Sequence, residues 1–248
     1  DPEYIIAKVA DALEESAADG AVLVEIRFGT AGLALMRPDF MALFREAEWQ
    51  VQAQYPRLRA EAIGFLHLSD DPVRLHTAER QLEVCLRMAS DGLAGIDFAV
   101  TPYTTEADPA LWAVAYRWAE RAANAGLGIT VHAGEFSTAN LAAALRVPGL
   151  RRLGHAVYAA ADPQFMEHLA RSGVTVECCL SCNVVLGAVP SYEAHPIRQL
   201  VAAGIPVTLN TDDPVRIWTT IGREYAIAAA LGFSPHDLAT FTRNAIQG

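Results

Sequence analysis

The sequence predicts an α/β fold, a (β/α)8 barrel of the TIM type that is missing its first strand and shows seven βα units. Three observations lead to this prediction. Strand-like and helix-like segments alternate along all 248 residues, which is typical of a parallel sheet with helical crossovers. A barrel of this type usually needs ~250 residues. Polar residues follow several of the strand-like segments, at the ends where barrel proteins collect their functional groups.

A doubly wound open sheet is the alternative architecture. It is less favoured because no glycine-rich phosphate-binding fingerprint follows the first predicted strand. In a barrel, by contrast, the carboxyl ends of all strands meet at one rim. The polar residues that would meet there are Glu25, Arg27, His67, His132, Glu135, His155, Asn183, Asp212 and Asp213.

Proline and glycine mark the elements of the first half. Asp1-Pro2-Glu3 opens a helix, because Pro and an acidic residue suit the first helical turn, and Asp19-Gly20 ends it. Ala125-Gly126 caps the helix that precedes the fourth strand. Strands are predicted over residues 21–28, 61–67, 95–99 and 128–132, and helices over residues 1–18, 38–53, 72–90 and 109–124.

The same rhythm continues in the second half. Asp162-Pro163 combines an N-cap with Pro at the first helical position, while Ser172-Gly173 and Gly204 end helices. No linker, low-complexity tract or charge block divides the chain, so one domain is predicted. Strands are predicted over residues 152–155, 174–179 and 205–210, and helices over residues 140–145, 163–172, 196–203, 214–231 and from 234 onward.

Composition limits the kinds of partner. Hydrophobic residues make up 52% of the chain, and the formal net charge is -10. The first value allows a sizeable core and argues against disorder. A chain with this negative net charge lacks the basic surface that binding to nucleic acid or to an anionic membrane requires. We therefore expect a small-molecule partner, no nucleic acid and no membrane, and the sequence leaves an oligomer open.

The cysteine content indicates the compartment. The chain has four cysteines, Cys85, Cys178, Cys179 and Cys182, too few for a disulfide scaffold of this size, which favours a reducing cytosol. No signal peptide is visible, and no apolar run reaches the ~20 residues of a membrane span. A cytoplasmic location is therefore expected.

The most informative motif is His132-Ala133-Gly134-Glu135, which ends the fourth predicted strand. Two further polar groups follow later strands, His155 and the pair Asp212-Asp213. Taken singly, each has an ordinary structural explanation. A histidine is often satisfied within a core, a carboxylate after a strand is often solvated, and Asp before Pro is a common helix start.

Taken together, these groups point to chemistry. They follow three strands and would converge on one rim. Two acids and two imidazoles can hold a divalent metal, activate its water and move a proton. Zinc can lower the pKa of a bound water to ~7, and a protonated carboxylic acid can donate to a substrate nitrogen. The motifs therefore predict a metal-hydrolase site.

The order His-Ala-Gly-Glu, Gly-His and Thr-Asp-Asp-Pro resembles that of the adenosine deaminase family, within the metal-dependent amidohydrolase superfamily. Further matches lie in residues 24–28, 177–183 and 191–196, so the resemblance extends over essentially the whole chain. It implies a TIM-type barrel, a purine as the small-molecule substrate, and zinc-dependent hydrolytic deamination of an adenine-type ring with release of ammonia.

The resemblance also implies residue roles. His132 and Asp212 would be ligands of one zinc ion per chain. Glu135 would protonate the purine ring nitrogen beside the carbon under attack. His155 would orient the attacking water and help to deprotonate it.

Two more roles concern the substrate. Asp213 would hydrogen-bond to the attacking oxygen or to the ring, which makes it both a catalytic and a substrate-binding residue. Gly134 would contact the substrate as part of the turn that carries Glu135.

One part of the family pattern is not found in this sequence. The family carries a His-x-His motif on its first strand, which supplies two more zinc ligands, and none of the seven histidines here is paired in that way. The strand predicted over residues 21–28 resembles the family's second strand. We therefore expect residues 1–248 to be a single amidohydrolase-type barrel domain that is truncated at the N-terminus and also at the C-terminus. Without two of its ligands, this form is expected to bind zinc weakly and to be inactive by itself.

Smaller departures concern the substrate. Residues 99–103 contain no glycine where the family often has a glycine-containing turn. Leu180 stands where many members have Pro, Cys182 where Ser is usual, and Ala156 where Gly often follows the histidine. These changes leave adenosine, adenine and a modified adenosine or nucleotide open as substrates. The C-x-x-C formed by Cys179 and Cys182 is interpreted as small buried or rim residues, because the cytidine-deaminase type of zinc site needs His-x-Glu.

Two other functions remain open from the sequence. One is a different amidohydrolase that cleaves a cyclic amide, against which Glu135 argues because it is placed to protonate a ring nitrogen. The other is a catalytically inactive purine-binding or interaction protein of the same fold. The missing His-x-His favours that second alternative, and the presence of His132, Glu135, His155 and Asp212 opposes it.

Overall fold

Seven parallel strands form one sheet in which the order along the chain is also the order in space. The computed structural model describes residues 1–29 and 37–248. Each strand pairs in parallel with the next one along the chain. The strands are β1 (Leu23–Phe28), β2 (Arg59–Leu68), β3 (Gly95–Val100), β4 (Gly128–Ala133), β5 (Leu150–His155), β6 (Thr175–Cys178) and β7 (Val207–Leu209).

The architecture is that of a (β/α)8 barrel lacking one βα unit, as the sequence predicts. In the described residues, β1 and β7 each pair with one neighbour only, so the sheet is open at the position of the missing strand. The two edge strands differ in burial, because all three residues of β7 are buried. All six residues of β3 and all four of β6 are buried, whereas the six residues of β1 are only partly so.

Within residues 1–29 and 37–248, eleven α-helices connect and cover the strands. They are α1 (Pro2–Ala18), α2 (Phe40–Gln52), α3 (Pro72–Met88), α4 (Pro109–Asn124), α5 (Leu141–Ala144), α6 (Pro163–Ser172), α7 (Leu180–Val185), α8 (Ile197–Ala202), α9 (Pro214–Ile217), α10 (Ile221–Ala230) and α11 (Pro235–Gln247). No helix in the described ranges is both long enough and apolar enough to cross a membrane.

Four of these helices begin with the same Asp-Pro pair. The aspartate side chain accepts a hydrogen bond from a backbone N–H in the first turn, and Pro occupies the first helical position, where its missing N–H costs nothing. The capping aspartates are Asp1, Asp71, Asp108 and Asp162. A fifth Asp-Pro pair, Asp213-Pro214, opens α9 without a side-chain capping bond.

Most predicted elements are confirmed, with ends that move by one to three residues. The largest correction is the helix predicted over residues 214–231, which divides into α9 and α10 because Trp218 adopts a left-handed backbone conformation (φ 57°). The other is α7, which the sequence analysis did not predict. This helix has only six residues and follows β6 almost directly, without the Asp-Pro start that marks the longer helices.

The tryptophans of α4 serve packing. Trp112 and Trp118 are buried on the face of α4 that covers the sheet. The Trp112 indole N–H also donates to the Asn140 side-chain oxygen (3.1 Å). Asn140 accepts from Ala107 N as well and donates to Pro102 O (2.9 Å each), so it joins the loop after β3 to the loop after β4.

Candidate active site

The residues predicted from three separate motifs meet at the carboxyl rim of the sheet. His132 lies near the end of β4, His155 ends β5, and Asp212 follows β7. The imidazole centroids of His132 and His155 are 5.0 Å apart. His155 Nε2 lies 3.8 Å from Glu135 Oε2 and 3.8 Å from Asp212 Oδ2. The structure thus brings together four of the predicted site residues.

Unusual backbone conformations aim these side chains into the site. His155 and Asp212 both have positive φ angles, 66° and 61°. This left-handed conformation is energetically unfavourable for any residue other than glycine, and residues that adopt it are concentrated at functional sites. Gly134 has φ 71°. A Cβ at Gly134 would lie 2.5 Å from Leu141 Cδ2 and 3.2 Å from the Ala156 Cα. Glycine is therefore required in the turn that presents Glu135.

A buried carboxylate orients His132. Its Nδ1 lies 2.9 Å from Oδ1 of Asp97, a fully buried residue of β3. Asp97 Oδ2 accepts from Arg27 Nε at 2.5 Å. Burial disfavours the charged form of Asp97, but His132 and Arg27 outweigh it and lower the pKa of Asp97 to about 2. Because Nδ1 is engaged, Nε2 is the ring nitrogen of His132 that is left for a ligand.

Arg27 also belongs to a network of charged side chains inside the sheet. Arg27 Nη2 donates to both oxygens of Glu177 on β6, at 2.7 and 2.6 Å. Arg152 on β5 lies 3.2 Å from Glu177 Oε1 and also pairs with Glu25 on β1. The sequence analysis placed Glu25 and Arg27 at the rim but missed Asp97 and Glu177. A charge inside the otherwise apolar strand β3 was the signal that could have identified Asp97.

Glu135 is suited to carry a proton at neutral pH. Burial, reinforced by the negative charge of Asp212, raises the pKa of Glu135 to about 7, against a smaller opposing effect of His132. Its Oε1 is buried and has no hydrogen-bond partner among the described residues. A buried carboxyl oxygen without a partner indicates a position for a ligand or a substrate atom.

The donor atoms around Asp212 fit a divalent transition metal ion. Two groups of three residues each bring one ligand atom per residue within 4.8 Å of one another: His155, Cys179 and Asp212, and Glu135, Cys182 and Asp212. This mixture of nitrogen, oxygen and sulfur donors suits a zinc-like ion better than magnesium or calcium. His132, a predicted ligand, belongs to neither group.

Cys182 contacts the predicted metal ligand Asp212 directly. Its Sγ donates to Asp212 Oδ2 across 2.9 Å. Burial is the main cause that raises the pKa of the Cys182 thiol, and the hydrogen bond to Asp212 adds to it, so the sulfur keeps its proton and can donate. The interpretation of Cys182 as a small rim residue therefore missed this contact with the site.

Asp213 is placed apart from the other site residues. Its carboxylate lies 3.3 Å from Arg216 Nε, within the same helical turn, and its side chain is 48% exposed. It occupies the N-cap position of α9, as the ordinary interpretation of an Asp-Pro pair suggested.

Two residues outside the predicted set complete the site. Asn183 on α7 and His195 just before α8 are buried and hydrogen-bonded to each other, and Asn183 also contacts the His155 ring. From the sequence, Asn183 is predicted at the rim without a role, and His195 only precedes the helix predicted over residues 196–203. No local pattern joins them, because the contacts depend on how α7 folds back on the rim.

A small pocket adjoins Glu135. Its wall includes Tyr103, His132, Gly134 and Asn140. The Tyr103 ring is stacked against His67, with centroids 6.4 Å apart. Burial, together with the negative charge of Glu135, raises the pKa of Tyr103 to about 12. Tyr103 therefore presents a neutral hydroxyl beside the candidate acid.

The family model for adenosine deaminase matches residues 2–248. The chain belongs to the adenosine deaminase family. An adenine deaminase from Rhizobium leguminosarum bv. trifolii (strain WSM2304) is 42% identical over 128 residues, which are 51% of this chain and 40% of that protein. The match thus spans about two-fifths of the length of that adenine deaminase.

Solved structures share the barrel. The structure of adenine deaminase from Arthrobacter aurescens superposes with a TM-score of 0.79 at 23% identity, covering 99% of this chain and 74% of that one. A cog1816 amidohydrolase from Burkholderia ambifaria, with bound Zn, gives a TM-score of 0.77 at 19% identity and covers 99% of this chain and 68% of that one. At these identities the structures support the adenosine deaminase fold of the chain.

Proposed function

We propose that the protein removes the exocyclic amine of an adenine-type ring by hydrolysis and releases ammonia. The observation that carries this proposal is Glu135, a largely buried carboxyl group whose pKa is raised to about 7 and which has His155 and Asp212 beside it. Ring deamination needs an acid that can protonate a ring nitrogen at neutral pH. The family membership and the relatives named adenine deaminase support the same reaction.

The donor set fits a divalent cation, and we propose that this cation is zinc. His132 through Nε2 and Asp212 through its carboxylate would hold it. When bound, such an ion lowers the pKa of water and so supplies a nucleophile at neutral pH. A related fold that carries bound zinc supports this choice of metal.

The chain's own residues would then handle the substrate. Glu135 would donate its proton to the ring nitrogen beside the carbon under attack. His155, 3.8 Å from both Glu135 and Asp212, would contact the attacking oxygen. Gly134 would let the ring approach the backbone, and Asp213 would reach the ring or the oxygen if its side chain leaves Arg216.

The substrate is proposed to be a purine that carries an amine at the adenine position. The curated relatives that match the chain are named adenine deaminase, which favours adenine over adenosine. The Arabidopsis ADAL structure complexed with GMP, at 22% identity, keeps a purine nucleotide among the compounds to be tested.

We further propose that residues 1–248 are one barrel domain of a longer protein and that the longer protein supplies two more metal ligands on the missing strand. The open sheet between β1 and β7 supports this, since closing it restores an eight-stranded barrel. A His-x-His motif upstream of residue 1 in the encoded protein is the expected finding.

The test is a screen of the full-length protein with added zinc. Ammonia release is measured with adenine, adenosine, N6-modified adenosines and AMP, and the Glu135→Gln variant is the control for the acid. Release from at least one compound, lost in the variant, is expected. Absence of release from every compound, with purine binding retained, would instead favour the inactive purine-binding alternative.

A further inference from the structure

A run of hydrogen bonds leads from a backbone amide to the His155 ring. The backbone N–H of Ile197 donates to His195 Nδ1 (3.1 Å). His195 Nε2 lies 3.2 Å from Asn183 Oδ1, and Asn183 Nδ2 lies 3.2 Å from His155 Nδ1. The three side chains are 2%, 0% and 2% exposed, in the order His195, Asn183, His155. Water therefore has little access to these contacts.

The backbone amide fixes the direction of every bond in this run. An amide N–H can only donate, so His195 Nδ1 must accept and carries no proton. A neutral imidazole then has its proton on Nε2, which donates to the Asn183 oxygen. Burial lowers the pKa of His195 to about 4, which keeps that ring neutral near pH 7.

The orientation of the Asn183 amide follows from the same constraint. If the amide were turned over, its NH2 would face the N–H of His195, and two donors would meet in a buried place. The observed orientation gives each donor an acceptor. Asn183 Nδ2 therefore donates to His155 Nδ1, which must accept.

We propose that His195 and Asn183 are positioning residues that hold neutral His155 with its proton on Nε2, so that His155 presents an N–H, and not a lone pair, to the reaction site. The Nε2 atom is the one that lies 3.8 Å from Glu135 Oε2 and from Asp212 Oδ2. Asp212 Oδ2 accepts hydrogen bonds, and a protonated Glu135 still has an oxygen that can accept one, which agrees with a donor facing them.

This assignment changes the role expected for His155. A histidine whose free nitrogen is turned away from the site cannot remove a proton from the attacking water. It can donate a hydrogen bond to the attacking oxygen and stabilise the negative charge that develops there. Removal of the water's proton then falls to a carboxylate of the site. This mechanistic consequence rests on the proposed deaminase function, whereas the tautomer itself does not.

The tautomer is measured by NMR on the full-length protein. Histidine is labelled with 15N and 13C, and the His155 resonances are assigned by comparison with His155→Gln. The expected result is a neutral ring protonated at Nε2 at pH 7. A His155 ring protonated at Nδ1, or an even mixture of tautomers, would overturn the proposal without any further variant.

Asn183→Asp is the decisive variant, because a carboxylate can only accept. It should draw the proton of His155 to Nδ1 and turn the Nε2 lone pair into the site. Asn244→Asp is the matched control. It also removes a part-buried amide donor, the one to Val207 O (2.9 Å), but does not contact His155. The control should leave the His155 spectrum unchanged. An unchanged spectrum in Asn183→Asp would contradict the proposal that Asn183 sets the position of the His155 proton.

Kinetics separate this inference from the proposed function. In Asn183→Asp, kcat should fall by on the order of 100-fold with little change in KM, since a histidine in the wrong tautomer can cost ~10⁴-fold in rate. Ammonia release by a protein whose His155 carries its proton on Nδ1 refutes the inference alone. An Nε2-protonated His155 in a protein that deaminates no purine refutes the proposed function alone.

Discussion

At the scale of single residues, the site is defined by buried polar groups whose partners fix their charge. Asp97 is fully buried, yet the pKa of its carboxyl group is lowered to about 2 because His132 and Arg27 lie beside it. Glu135 has no such cation in contact and is shifted in the opposite direction. A carboxylate on β3 and one in the turn after β4 thus receive different proton affinities from their surroundings, which is how one site can contain both an acid and a charged anchor.

Glu135→Gln is expected to separate stability from activity. The raised pKa means that ionising Glu135 costs the folded state stability as pH rises from about 4.5 to about 7. For the metal-free protein, the variant should therefore be more stable than the wild type by up to ~3 kcal/mol at pH 8 and equally stable at pH 4. Urea unfolding at the two pH values tests this, and equal stabilities at pH 8 would contradict the raised pKa.

The same variant should lose the proton donor. A fall of ~10²–10⁴ in kcat is expected from the loss of an acid in such a step, with metal content unchanged. Turnover at the wild-type rate would remove Glu135 from the proposed role.

Cys182 should affect the affinity for zinc through its hydrogen bond to Asp212. Cys182→Ala removes the donor to the Asp212 carboxylate, while Cys182→Ser keeps an O–H donor in its place. Loss of a hydrogen bond to a metal ligand typically weakens binding 10–100-fold, so zinc affinity should fall in the alanine variant and largely return in the serine variant. Competition with a chelator measures the affinity, with Cys85→Ala as a control for loss of a buried thiol outside the site.

At the scale of elements, the loops after the strands decide the geometry of the site. The turn after β4 needs glycine at 134, the loop after β3 is tied to it by Asn140, and α7 returns Asn183 to the rim. Asp-Pro caps start the outer helices at positions that the sequence reveals. The short helix α7 carries Cys182 and Asn183, and α9 begins directly after Asp213; neither has such a capping bond.

Gly134→Ala should be more destabilising than a matched change elsewhere. The new Cβ would meet Leu141 and Ala156 at 2.5 and 3.2 Å, and overpacking of this kind typically costs 1–3 kcal/mol. Gly126→Ala is the control, because Gly126 also has a positive φ (86°) but has no atom within 4 Å of the new Cβ. Both variants share the left-handed penalty of ~1–2 kcal/mol. Equal losses of unfolding free energy in the two variants, measured with urea, would show that the steric clash is relieved without cost.

At the scale of the whole molecule, a network of charges joins strands that are distant in the chain. Arg27 of β1 reaches Asp97 of β3 and Glu177 of β6, and Arg152 of β5 pairs with Glu25 of β1. These contacts cross the interior of the curved sheet and depend on its curvature. They also place Asp97, the anchor of His132, under the influence of residues from three other strands, β1, β5 and β6.

Arg27→Met should therefore destabilise the whole barrel. It leaves Asp97 and Glu177 buried without their shared cation, and breaking a buried ion pair in this way typically costs 3–5 kcal/mol. Arg45→Met is the control, because Arg45 pairs with Glu48 and Glu61 at a more exposed position (37% against 26% for Arg27), where pairs contribute about 0–1 kcal/mol. Similar unfolding midpoints for the two variants would contradict the structural role of the network.

The sequence by itself determined the seven βα units, the Asp-Pro helix starts and the residues His132, Glu135, His155 and Asp212. These rest on local signals: strand and helix periodicity, capping chemistry and side chains placed at strand ends. The tertiary structure alone decided the partners. Asp97 orients His132, Cys182 contacts Asp212, and Ile197 fixes the proton of His155 through His195 and Asn183. Charge and proton position depend on neighbours in space, and the curvature of the sheet brings those neighbours together from up to 150 residues apart in the chain.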